Sequence, residues 1–153
     1  MPVITKISSL RTLVSVACVL LSAAAFGACG ADTPTSPTPA FSQTDLRAGT
    51  GAAAAAGNRI TVLYTGWIYD AGRPDQKGLQ FETNVGTGTP LTFTLGIGQV
   101  IQGWDEGLVN QRVGGLRRLV IPPSMAYGNF RNGPIPAGAS LVFEVELTSI
   151  ETQ

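Results

Sequence analysis

Val100, Trp104 and Leu108 recur at i, i+4 and i+8, with Ile101 at the edge of the same stripe. That is the spacing of a short helix laying one face on a core. From this helix the stretch Gly96 to Gly128 runs on into an apolar strand and a turn tipped by Tyr127. A Trp on such a helix supplies a large rigid floor, and Tyr127 an aromatic wall carrying a hydroxyl. Together they make a small hydrophobic pocket, suited to chemistry done by shape and desolvation. Leu108 reads as core. Trp104, in these surroundings, reads as pocket floor.

Other chemistries are excluded by what is missing. The chain has no histidine among its 153 residues. That removes the usual general base, the usual metal ligand and every Ser-His or Cys-His nucleophile pair, so no metal site is expected. No Gly-rich phosphate loop is followed by Lys-Ser or Lys-Thr, and no dinucleotide fingerprint opens a helix, so no cofactor is expected. The run GIGQVIQG has glycines in a suggestive order, but its helix buries apolar residues where a phosphate needs free backbone donors. With 13% charged residues and a formal charge of zero, the chain offers no basic face for nucleic acid.

The elements that must position the pocket follow a period of two. Ile60, Val62 and Tyr64 share one face of a strand from Arg59 to Tyr64, and Leu91 to Leu95 alternates strictly. Leu141 to Leu147 turns Phe143, Val145 and Leu147 inward and Glu144 and Glu146 to water. A further strand, Gly115 to Ile121, is stopped by Pro122-Pro123, which can donate no ladder hydrogen bonds. Ala52 to Ala56, hemmed in by Gly49, Gly51 and Gly57, is too short to repay helix nucleation and reads as a loop or strand edge. Several antiparallel strands and one helix give an α+β domain, a sheet wrapped over a single helix.

Ahead of this domain, Lys6 and Arg11 precede an apolar run, Leu13 to Phe26, and Gly27-Ala28 leads into Cys29. Residues 1–29 have the form of a secretory signal, too short to span a membrane comfortably. Phe26-Gly27-Ala28-Cys29 resembles the bacterial lipobox, which makes Cys29 the lipidated first residue of the mature chain. The alternative is an ordinary signal cleaved nearby, with Cys29 a bare thiol. Without Lys6 and Arg11 the chain keeps eight basic against ten acidic residues, so any membrane attachment is through the lipid anchor only. Residues 30–44, rich in Pro, Ser and Thr, read as a disordered tether. The folded domain is then 45–153, and the expected location is the cell envelope or periplasm.

From about Asp45 to Ile150 the chain resembles the FKBP-type peptidyl-prolyl cis-trans isomerases. The matching segments are VLYTGWIYD, LQFETN, PLTFTLGIGQVIQGWDEGL, VGGLRRLVIPPSMAYG and IPAGASLVFEVEL, in that order. The resemblance implies an antiparallel sheet of five or six strands curled around one short helix. It implies acceleration of X–Pro bond rotation, in proline-containing unfolded or exported polypeptides, and binding of macrolides of the tacrolimus and rapamycin type. It places Tyr64, Phe81, Glu82, Trp104, Tyr127 and Phe143 as catalytic residues and Leu91, Val100, Ile101 and Ile135 as substrate-binding ones. In that scheme Trp104 is the floor, Phe81 and Phe143 are side walls, and the Ile101 N–H and Tyr127 hydroxyl bond the ligand.

Four departures from the family pattern qualify it. Glu82 stands where Asp is usual, and Leu91 where a pocket Phe is common. The stretch Asp70 to Gln80 is longer than in the minimal domain and reads as a surface bulge. The loop from Gly128 to Pro136 carries Phe130 and Arg131 where small residues or His occur. These permit a second reading, an FKBP-like binding or chaperone domain without turnover; the tether alone suggests a third, a structural envelope lipoprotein. Retention of Tyr64, Phe81, Trp104 and Tyr127 together favours the isomerase.

Overall fold

A computed structural model describes residues 38–151. The signal segment, Cys29 and most of the tether lie outside the described residues. Strands β1 (Ser42–Arg47), β2 (Arg59–Tyr69), β3 (Lys77–Thr83) and β4 (Leu91–Thr94) precede helix α1 (Gln102–Gly107); β5 (Leu116–Ile121) and β6 (Leu141–Glu151) follow it. They form one six-stranded antiparallel sheet in the order β1-β5-β6-β2-β3, with β4 also on β2. The long strand β2 pairs with β6 along one side. On its other side β4 takes the first half, at Arg59 to Val62, and β3 the second, at Thr65 to Tyr69.

Alternation explains the core. Ile60, Val62 and Tyr64 of β2, Phe143, Val145 and Leu147 of β6 and Leu119 and Ile121 of β5 all point to the helix and are buried. Helix α1 presses Trp104 into this face, and Leu108, capping its C-terminal end, is buried beside it. It has only six residues, too few to be stable alone, so packing holds it. Its glycines let it come close: a Cβ on Gly103 would meet Ile121 at 2.5 Å, and one on Gly107 would meet Leu119 at 2.7 Å. Ala53 makes an isolated bridge to Arg112 and Ala54 is buried, so the alanine run is loop rather than helix.

Two strands depart from the sequence pattern. Strand β1 begins at Ser42, inside the stretch expected to be tether, and Phe41 just before it packs on the core. All six β1 residues are exposed, so no apolar alternation announces the strand. The stretch Asp70 to Gln80 is an exposed turn only as far as Asp75. From Lys77 onward it is strand β3. Lys77 holds this strand down: its ammonium lies 2.5 Å from Glu144 and 4.3 Å from the centre of the Trp67 ring. Arg118 reaches the same carboxylate at 2.9 Å, so one ion cluster on the outer face joins β3, β6 and β5.

Candidate functional site

At one end of the helix an open cleft of about 180 Å³ is lined by Tyr64, Glu82, Leu91, Gln99, Val100, Ile101, Trp104, Tyr127 and Phe143. Its floor is a cluster of rings. The Trp104 indole meets Tyr64 at 5.0 Å and Phe143 at 5.2 Å, both edge to face, and Phe93 at 5.8 Å. Each such pair contributes about 0.5–1.5 kcal/mol beyond the area it buries. Trp104 is 4% exposed, Phe143 3% and Tyr64 9%, so these three are core as well as floor. Leu91, Val100, Ile101 and Tyr127 are half-buried or exposed and form the mouth.

The structure thus brings eight of the expected site residues into one cleft. Phe81 and Ile135 lie next door. They line an adjoining hollow of about 260 Å³ together with Glu82, Tyr127, Asn132 and Pro134. Glu82 and Tyr127 are the shared ridge between the two. Phe81 still supports the main cleft, since its ring stands edge-on to Phe143 at 5.6 Å. That contact needs Gly66: a Cβ there would lie 2.6 Å from Phe81 and 2.7 Å from Phe143.

Local chemistry sets each wall. Tyr127 follows a 3₁₀ turn at Pro123–Met125, begun by the two prolines and closed by Gly128 N–H on the Pro123 carbonyl at 2.8 Å. Ile101 precedes α1 in extended conformation, and no acceptor among the described residues takes its N–H. The Trp104 indole N–H is likewise buried without an acceptor among them. Burial first, and then the adjacent Glu82 carboxylate, push the Tyr64 phenol well above its ordinary range. Burial and Glu82 also raise Tyr127, against a hydrogen bond with Asn132 that lowers it. Both phenols therefore stay protonated at physiological pH and remain donors. Glu82 is exposed, and its carboxylate acts on Tyr64 as well as on Tyr127.

Three residues that shape the cleft went unread in the sequence. Gln99 lines it, and its side-chain oxygen accepts from Thr94 N–H at 2.8 Å. Asn84 fills the break between β3 and β4: its side chain accepts from Tyr64 N–H at 2.6 Å and donates to the Val62 carbonyl at 3.2 Å. It stands in for the missing strand where Tyr64 leaves β2's paired edge. Asp105 ties the loop before α1 to the helix through Gly96 and Gly98. An Asn or Asp in a turn is a general hint of such bonding, but its partner is not written in the sequence. Among the described residues no three His, Cys, Asp or Glu side chains gather where a metal could bind.

Known proteins are similar to this chain in sequence and fold. The family profile described as FKBP-type peptidyl-prolyl cis-trans isomerase matches residues 51–148. The FK506-binding protein of Neisseria meningitidis serogroup B is 46% identical over 107 residues, spanning 69% of this chain and 92% of that protein. FK506-binding protein 1 of Aspergillus oryzae is 41% identical over 105 residues, 67% of this chain and 90% of its own. The crystal structure of AtFKBP13 superposes with a TM-score of 0.62 at 32% identity, covering 72% of this chain and 93% of that one. FkpA from Escherichia coli gives a TM-score of 0.60 at 37% identity, over 72% of this chain and 48% of FkpA.

Proposed function

The chain belongs to the FKBP-type peptidyl-prolyl cis-trans isomerases, and on that premise we propose that X–Pro bonds turn in the cleft over Trp104. The isomerase activity comes with the family. Rotation about an X–Pro bond is slow because amide resonance must be broken, a barrier of about 20 kcal/mol and a rate near 10⁻² per second. Reaching roughly 10³ per second needs about 7 kcal/mol of preferential binding to the twisted amide. No proton transfer or nucleophile is required, and the chain has no histidine to supply one.

The observation that carries this reading is a buried aromatic floor beneath a mouth with two donors, the Ile101 N–H, unpartnered among the described residues, and the protonated Tyr127 phenol. The prolyl ring seats on Trp104, edged by Tyr64 and Phe143. In that dry setting water no longer supports the charge separation of the planar amide, so the twisted form gains relative to it. The Ile101 N–H holds one substrate carbonyl and Tyr127 another acceptor. Glu82 orients the two phenols rather than moving a proton. The proposal includes binding of macrolides of the tacrolimus and rapamycin type in the same cleft; the names of the relatives give FK506 binding for those proteins. Isomerisation of a short X–Pro peptide, with and without rapamycin and in Trp104→Leu, tests this. Activity blocked by rapamycin and weakened in the variant is expected; turnover insensitive to both overturns the site.

The proposal extends to location. Residues 1–29 direct export, Cys29 carries lipid, and the segment before β1 holds the domain off the membrane so that it acts on exported polypeptides. Among the described residues no helix is long and apolar enough to cross a membrane. Intact-mass analysis is expected to show a lipidated chain starting at Cys29, lost in Cys29→Ser. An unmodified mature chain beginning elsewhere overturns the anchor.

A further inference from the structure

The connection from β4 to α1 carries Gln99, Val100 and Ile101; Leu95 at its start is buried and Val100 and Ile101 pack on the core, but the tip between them, Gly96 to Gln99, has no apolar anchorage. Ile97, at its tip, is 59% exposed, and Gly96, Gly98 and Gln99 are exposed too. Gly96 and Gly98 both sit in the left-handed region, at φ 81° and 76°, where glycine is the permissive residue. Such a segment should wander. Instead, one carboxylate grips it twice: Asp105 Oδ1 accepts from Gly96 N–H and Oδ2 from Gly98 N–H, each at 2.8 Å.

We infer that Asp105 is a positioning residue for the prolyl cleft, holding the loop in the one shape that binds substrate. The inference rests on the reading of the cleft given above. Asp105 follows Trp104 in α1, so its two bonds tie the loop to the very helix that supplies the floor. The closed ring encloses Gln99, Val100, Ile101 and Trp104, nearly half the lining of the cleft. Charge-assisted bonds of this length are strong ones, and they use the amides on both sides of Ile97, so the tip cannot swivel. The Gln99 side chain adds a third bond, to Thr94 N–H at 2.8 Å.

Removing the carboxylate frees two glycines, and the fraction of molecules with a competent cleft falls. Apparent affinity falls by that fraction, whereas substrate at saturation selects competent molecules and restores turnover. A residue serving stability alone behaves in the opposite way: unfolded molecules lower kcat and leave KM unchanged. The test is Asp105→Ala, with Asp105→Asn as the conservative variant that keeps one oxygen acceptor. Rapamycin Kd and the KM of a short X–Pro peptide should rise together about tenfold in the Ala variant, with kcat within about twofold. Asp105→Asn should fall between, and the Gly96 and Gly98 amides should lose hydrogen-exchange protection in both. Arg47→Ala, which removes bonds to Gly114 and Glu146 away from the cleft, should lower the melting temperature and leave Kd and KM alone. If Asp105→Ala does not fold, Asp105→Asn carries the comparison. Kd and KM unchanged in a folded Asp105 variant, while Trp104→Leu weakens both, overturn the inference and leave the cleft standing. If Trp104→Leu also changes nothing, the cleft reading fails and this inference with it.

Discussion

Replacing Arg117 with Met keeps the apolar stem and removes the guanidinium, and it should be among the costliest polar changes in this domain. Arg117 lies on the inner face of β5 and is 6% exposed. It donates Nε and Nη2 to the Asp45 carboxylate at 2.6 and 3.2 Å, and Nη1 to the carbonyls of Gly107 and Val109 at 2.8 and 3.0 Å. One side chain thus satisfies the end of α1 and pins β1 to it. Met leaves the Gly107 and Val109 carbonyls without this donor, at about 1–3 kcal/mol each when water cannot replace it. The Asp45 side chain is 50% exposed and can rehydrate, so its share is discounted to about 1 kcal/mol or less. The total expected is about 3–4 kcal/mol, against about 1 for Asp45→Asn. Urea unfolding with unchanged m-values reads both, and the double variant isolates a coupling of about 1 kcal/mol. The acid limb gives an independent sign. The Arg117 hydrogen bond lowers the Asp45 pKa despite burial that raises it. A group depressed on folding stabilises above its unfolded value, about 4, and that contribution is lost as pH falls through the folded value. Arg117→Met should therefore lose less stability than the parent between neutral pH and strong acid. A cost under about 1 kcal/mol, with an unchanged acid limb, refutes the reasoning.

Gly66→Ala should cost about 1–3 kcal/mol and weaken rapamycin binding, because its Cβ would lie 2.6 Å from Phe81 and 2.7 Å from Phe143; melting curves and titration check both. The profile of kcat/KM should be flat across neutral pH, since histidine is absent and burial and Glu82 hold the Tyr64 and Tyr127 phenols above their ordinary range; a break near neutrality would expose a titrating group in the reaction. A chain starting at residue 38 should melt like the full domain. One starting at residue 48 loses β1, Phe41 and the Asp45 pair, and should melt lower in calorimetry. Glu144→Gln should flatten the acid limb as Arg117→Met does: burial raises this carboxylate, but Lys77 and Arg118 together bring it below its ordinary range.

The parts of this fold that sequence reveals are those where one face is apolar. Ile60, Val62 and Tyr64, or Phe143, Val145 and Leu147, alternate because a core lies on one side only. Strand β1 has no such signature: every residue is exposed, and it is held by backbone pairing with β5 and by Asp45 on Arg117. Strand β3 hides for another reason, since its register with β2 shifts twice and it opens beside turn formers. The same division runs through the cleft. Its floor is apolar and stands out in the sequence, while the bonds that set its walls, from Asn84, Gln99 and Asp105, join side chains to backbone whose course no local pattern gives.

The visibility of the floor has a consequence for any test of function. Trp104, Tyr64 and Phe143 are each more than nine-tenths buried, so truncating them removes core and site at once. A Phe or Trp so placed costs about 3–5 kcal/mol when cut to Ala, enough to unfold a marginal domain before catalysis is measured. The mouth separates the two effects. Tyr127 is half-buried and Leu91 is 37% exposed, and both line the cleft. Tyr127→Phe removes one hydroxyl donor and little packing, so it should leave the melting temperature within a few degrees and lower kcat/KM by about tenfold, the worth of one hydrogen bond at a developing carbonyl. Leu91→Ser should weaken rapamycin binding with a similarly small thermal shift. If both variants keep full kcat/KM and full affinity, the rim makes no contact with substrate, and the reaction must be placed elsewhere on this surface.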